Sequence, residues 1–179
     1  MPLYQFDGAF PVIHPTAFVH PEAVVIGDVE IGPLSSIWPM VVIRGDVNRI
    51  RIGARSSIQD GSVLHVSRPS PANPEGAATL LGDDIVVGHK VVLHGCRLED
   101  CCMVGIGATI LDHAVVGRAA MVAAGSLIPP RKQVAPGTLW MGSPAREIKA
   151  LSEKEQQGIL DTAQNYLRLA EKYREGRSG

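Results

Sequence analysis

Aliphatic residues recur along this chain with a spacing of six. One series runs Ile13, Val19, Val25, Ile31, Ile37, Ile43; a second runs Ile52, Ile58, Leu64; a third runs Leu81, Val87, Leu93; a fourth runs Leu98, Val104, Ile110, Val116, Val122, Ile128, Val134. A helix would need spacings of three and four, and the β-branched residues and frequent Gly also oppose one. The pattern therefore predicts a short strand and a corner per hexad. Every sixth residue points into a narrow core and its neighbours point out, because strand side chains alternate. Three hexads close one triangular turn of a parallel β-helix, and each turn buries its apolar face against the turns above and below. The fold class is thus an all-β solenoid of hexapeptide repeats; the competing fold is an irregular β-sandwich in which the spacing is coincidence. The register has local irregularities: Ile26-Gly27 competes with Val25, and Leu93 to Leu98 is a step of five.

Two interruptions break the period. Three residues are added between Ile43 and Ile52, around Arg44-Gly45-Asp46-Val47-Asn48-Arg49. The step from Leu64 to Leu81 contains Ser67-Arg68-Pro69-Ser70-Pro71-Ala72-Asn73-Pro74-Glu75-Gly76, which is loop chemistry. Insertions at a solenoid corner often build the functional surface. After Val134 the repeat fades, and the Pro- and Gly-rich segment 135–147 is expected to run extended. Ser152 and Glu155 form a capping box, and Ile159, Ala163, Tyr166, Leu167, Ala170 and Tyr173 follow at helical spacing. This predicts one amphipathic α-helix over about residues 153–174. The expected organisation is a β-helix domain at 1–148, with an insert loop at 66–80, and a C-terminal helix and tail at 149–179.

Bulk composition narrows the function classes. Net charge is −1, from 17 basic and 18 acidic residues, so nothing points to nucleic acid or an acidic membrane surface. No apolar run is long enough to span a bilayer, and the N-terminus lacks the layout of a signal peptide. Cys96, Cys101 and Cys102 are odd in number and clustered, which reads as reduced thiols in a cytoplasmic protein. Aromatics are only 4%, so aliphatic side chains must fill the core.

The register then places the histidines. Counting one corner per interruption, Ile43 to Leu64 is one full turn and Leu64 to Leu93 the next. Arg44, His65 and His94 each follow the aliphatic residue by one, so they stack in an outward column, about 4.8 Å apart. Asp60 and His89 stack around a different corner. Two stacked imidazoles suit a shared metal, and His89 can reach that metal only from a neighbouring subunit, as threefold packing of a triangular prism allows. Three imidazoles plus water suit a catalytic Zn²⁺; imidazole also suits Fe²⁺ or Co²⁺. A lone outward His is usually just solvated, and His14, His20 and His113, which lack such partners, are read as surface or corner residues.

Val42-Ile43-Arg44-Gly45-Asp46, Ser57-Ile58-Gln59-Asp60-Gly61, Leu64-His65 and Val87-Gly88-His89-Lys90-Val91-Val92-Leu93-His94-Gly95 resemble the γ-class carbonic anhydrase family, and the likeness covers roughly residues 10–175. The resemblance implies a left-handed β-helix, a sense the periodicity does not give, and a homotrimer with interfacial metal sites. It implies that His65, His89 and His94 are the ligands and that Gln59 orients metal-bound hydroxide for attack on CO₂. Arg44 and Asp46 would be an ion pair tying subunits together, Asp60 a supporting acceptor, and Tyr166 a residue leaning over the site. The chain departs from the family archetype in lacking an acidic loop for proton export: Asp46 is followed by Val47, and His65 by Val66-Ser67-Arg68-Pro69. Rival functions are a metal-dependent thioesterase or other hydrolase of a small acyl substrate, a hexapeptide acyltransferase, and a catalytically inactive metal-binding scaffold.

Overall fold

The structure is a computed structural model describing residues 2–176. It is a parallel β-solenoid of about 8 turns followed by a C-terminal helix. Most strands are two or three residues long and pair in parallel with the strand one turn away. They fall into a twelve-stranded and an eight-stranded sheet. A triangular prism has three faces; two of them merge here because Val24–Ile31 and Val42–Ile52 run continuously around one corner. The three residues added between Ile43 and Ile52 lie within that second long strand.

The hexad residues line the interior. Val25, Ile37, Ile43, Ile58, Leu64, Val87, Leu93, Val104, Ile110, Val116, Val122 and Ile128 are fully buried. Full burial of such a side chain contributes about 1.5–3 kcal/mol. Val25, not Ile26, takes the inner position. A second inward column, which the hexad reading did not contain, lies two residues earlier: Ser35, Val41, Ser56, Ser62, Ile85, Val91, Cys102, Ala108, Ala114, Ala120 and Ser126 are buried as well. Residues two apart share a strand face, and the corner leaves room mainly for small side chains. Its serines are satisfied by the neighbouring rung: Ser35 Oγ donates to Gly53 O (2.7 Å), Ser56 Oγ to Gly82 O (3.0 Å) and Ser62 Oγ to Gly88 O (2.9 Å). Corners turn through left-handed residues, including Leu34, Arg55, Asp84, Cys101 and Ala119 (φ 55–61°).

The segment expected to run extended after Val134 is instead a hairpin. Thr138–Gly142 pairs in parallel with Met121–Val122 and antiparallel with Ala145–Ala150, so the final rung reverses direction. Pro and Gly at 142–144 supply that reversal rather than an open linker. The helix spans Glu153–Glu175, with Ser152 as N-cap and the reciprocal Ser152–Glu155 capping box formed. The tail at 177–179 lies outside the described residues. The helix packs on Phe18–Val19, Ser36–Ile37, Ser57–Ile58 and Val86–Val87. Ala170 and Tyr166 pack there against Phe18 and Trp38, and the Trp38 indole donates to Ser57 Oγ at 3.0 Å. Among the described residues, no helix is long and apolar enough to cross a membrane.

Candidate metal centre

Strand pairing fixes the first half of the site. Ile43 pairs with Leu64, Leu64 with Leu93, and His65 with His94. With each aliphatic residue anchored inward, the residue after it faces out, so His65 and His94 stand on adjacent rungs with ring centroids 5.1 Å apart. His65 Nδ1 lies 3.1 Å from His94 Nε2.

Each ring is held from behind by a carboxylate. His65 Nε2 is 3.0 Å from Asp46 Oδ1, and Arg44 bonds the other oxygen of Asp46. His94 Nδ1 is 2.5 Å from Asp112 Oδ1, and Ser67 Oγ donates to Asp112 Oδ2 at 2.5 Å. Burial opposes ionisation of Asp46, but the bonds from His65 and Arg44 outweigh it and hold its carboxyl below the usual range. At Asp112 burial is likewise outweighed, by the bonds from Ser67 and His94. Ionised carboxylates only accept, so each imidazole donates its rear N–H. That assignment leaves His65 Nδ1 and His94 Nε2 as two lone pairs facing one another. A shared cation relieves their repulsion, and a carboxylate behind each imidazole is how metal-ligating histidines are oriented. The residues present therefore fit a divalent ion.

The second half lies on another face. Val86–Val87 pairs with Ser57–Ile58 in the eight-stranded sheet, which carries His89 and Asp60 to the same corner; His89 Nδ1 is 3.0 Å from Asp60 Oδ2. Gln59, beside Asp60, is only 4% exposed. Tyr166 reaches this corner from the helix, its ring 6.1 Å from Trp38; burial and then the charge of Asp60 push its phenol above the usual range. The structure thus brings Arg44, Asp46, His65 and His94 together at one place, and Gln59, Asp60, His89 and Tyr166 at another. Among the described residues of this single chain, no group of three His, Cys, Asp or Glu is placed to hold a metal.

Sequence reasoning missed Asp112 and Ser67. A signal existed: Asp112 follows His94 by eighteen residues, the length of one turn of three hexads. The short step from Leu93 to Leu98 shifts it one place off the column, so that Leu93 pairs with Ile110. His113, read as a corner residue, has its ring nitrogen Nε2 3.0 Å from Asn73 Nδ2.

A family model described as bacterial transferase hexapeptide (six repeats) matches residues 10–45. The chain is 45% identical over 171 residues to Protein YrdA of Escherichia coli (strain K12), covering 96% of this chain and 93% of that protein. It is 45% identical over 161 residues to gamma carbonic anhydrase 2, mitochondrial, of Arabidopsis thaliana, covering 90% of this chain and 58% of that protein. Among solved structures, a hexapeptide transferase family protein from Anaplasma phagocytophilum superposes with a TM-score of 0.89 at 37% identity, covering 96% of this chain and 98% of that one.

Proposed function

Because the chain belongs to the hexapeptide-repeat family of γ-carbonic-anhydrase-like proteins, we propose that it is a divalent-metal enzyme that interconverts CO₂ and bicarbonate, working as a cytoplasmic homotrimer. The observation that carries this reading is the pair of carboxylate-held imidazoles whose free nitrogens face each other at 3.1 Å. His65 and His94 would hold the ion, with His89 completing the set from the other corner of a neighbouring copy. When bound, Zn²⁺ (or Fe²⁺ or Co²⁺) lowers the pKa of water to about 7 and so supplies hydroxide at neutral pH.

The chain's own residues do the rest. Asp46 and Asp112 hold the rear N–H of His65 and His94, fixing tautomer and ring orientation. Arg44 neutralises Asp46 and keeps its second oxygen from competing. Asp60 accepts from His89 in the same way. Gln59, buried and uncharged, offers an amide to orient the attacking oxygen, and Tyr166 walls the Gln59–Asp60 corner against bulk water.

The test is metal content per subunit by elemental analysis, with CO₂ hydration assayed on the same sample. About one ion per chain with turnover supports the reading. About one ion without turnover refutes the hydration step and favours the hydrolase or the inactive scaffold; no ion after reconstitution removes the site. His89→Ala is expected to lose the metal while keeping the β-sheet circular dichroism, and light scattering on the wild type is expected to give three chains.

A further inference from the structure

The insert loop makes a second site. The loop folds back on itself through the isolated antiparallel bridges Ser67–Ala77 and Ser70–Asn73. It is clamped to the solenoid by Ser67 on Asp112 and Asn73 on His113. Between loop and solenoid lies a cleft of about 560 Å³. Its apolar lining comes from Ala72, Leu111 and Pro130, and its cationic lining from Arg68 and Arg131. His113 and Arg131 occupy left-handed corner positions (φ 59° and 62°) eighteen residues apart, and Arg131 N donates to Asp112 O at 2.8 Å. The rung backbone is therefore fixed where the cleft is formed.

Among the described residues the two arginines of this cleft, like Arg49, Arg97 and Arg146, have side chains without an ion pair or a hydrogen bond. Arg44, Arg51, Arg55 and Arg118 each form ion pairs. The carboxylate in the cleft wall, Asp112, has both oxygens engaged by His94 and Ser67 and forms no ion pair with either arginine. Guanidinium is the group best matched to carboxylate and phosphate oxygens.

We propose that the cleft between the insert loop and the rung at 111–113 binds a small organic oxyanion, a carboxylate or phosphate monoester with a compact apolar body. Arg68 and Arg131 grip the anionic head, and Leu111, Pro130 and Ala72 receive the body. Neither arginine bonds His65, His89 or His94, although the cleft shares Ser67 and Asp112 with the metal centre.

The test is calorimetric titration of the full chain with phenyl phosphate and, separately, benzoate. Saturable binding of either is expected, and the one that binds identifies the head group. Arg68→Gln and Arg131→Gln should each weaken it about tenfold. Arg97→Gln, whose residue lines a different cleft, should leave it unchanged. Binding should also persist after chelator treatment, which separates this site from an anion held by a bound ion. No saturable binding of either probe at millimolar concentration overturns the proposal, and so does an unchanged Kd in the double arginine variant.

Discussion

Asp112→Asn tests the reading that a carboxylate fixes His94 from behind. Asp112 serves two donors, His94 Nδ1 at 2.5 Å and Ser67 Oγ at 2.5 Å. An asparagine of the same shape has one accepting oxygen and one NH₂, so one of the two bonds must fail and the charge is lost in either case. Loss of such a supporting partner typically costs 10–100-fold in metal affinity, about 1.4–2.7 kcal/mol. The Asp112 side chain is 30% exposed, so water replaces part of the lost interaction and the lower half of that range is expected. Ser67→Ala removes only the second donor. It should loosen the insert loop, seen as faster amide exchange at Ser67 and Ala77, while costing less than threefold in affinity, roughly 0.6 kcal/mol. The assay is competition for zinc against a chromophoric chelator, with the Co²⁺ visible spectrum as a check on ligand geometry. Wild-type zinc affinity and an unchanged Co²⁺ spectrum in Asp112→Asn would refute the reasoning, because His94 would then be held without its carboxylate.

Further outcomes follow from other parts of the fold. Ile110→Ala removes a fully buried side chain stacked between Leu93 and Ile128 and should lower urea-unfolding stability by about 2–5 kcal/mol. Ala119→Gly relieves a left-handed residue (φ 56°) and should stabilise by about 1 kcal/mol in the same assay. Burial pushes the Cys96 and Cys102 thiols up to about 12, so at pH 8 iodoacetamide should leave them unmodified in the native protein and alkylate them in denaturant. The bond from Lys149, followed by those from Ser152, lowers the Glu155 carboxyl to about 2. Its contribution is present above the unfolded value near 4.5 and is lost as pH falls towards 2. The melting-temperature difference between wild type and Glu155→Gln should therefore shrink between pH 5 and pH 2.

The solenoid was legible because one position in six carries most of the buried aliphatic area, a signal that needs no tertiary information. The same count placed His65 beside His94 and put His89 with Asp60 on another corner, since strand register converts sequence spacing directly into stacking. The capping box marked the helix start because both of its partners are local. The companion inner column was harder to see. Its members range from Ser35 to Ile85, so size and position at the corner, rather than hydrophobicity, define them. Asp112 escaped because a shortened hexad moved it off the column, and Ser67 because its partner lies 45 residues away across the insert loop. The closing hairpin was obscured by Pro and Gly, which mark a turn without saying whether strands flank it.

That hairpin has a consequence beyond shape. A parallel β-helix is an open lattice in the direction of its axis: each rung offers the next one a complete row of amide and carbonyl groups about 4.8 Å away. Nothing in the repeat itself limits growth, and a second copy could in principle continue the stack. The terminal strand Ala145–Ala150 runs against the rungs below it and carries exposed Arg146, Glu147 and Lys149. A reversed, charged last strand is a poor template for another parallel rung, so the eight-stranded face of this end is closed to fibre growth by direction and by charge.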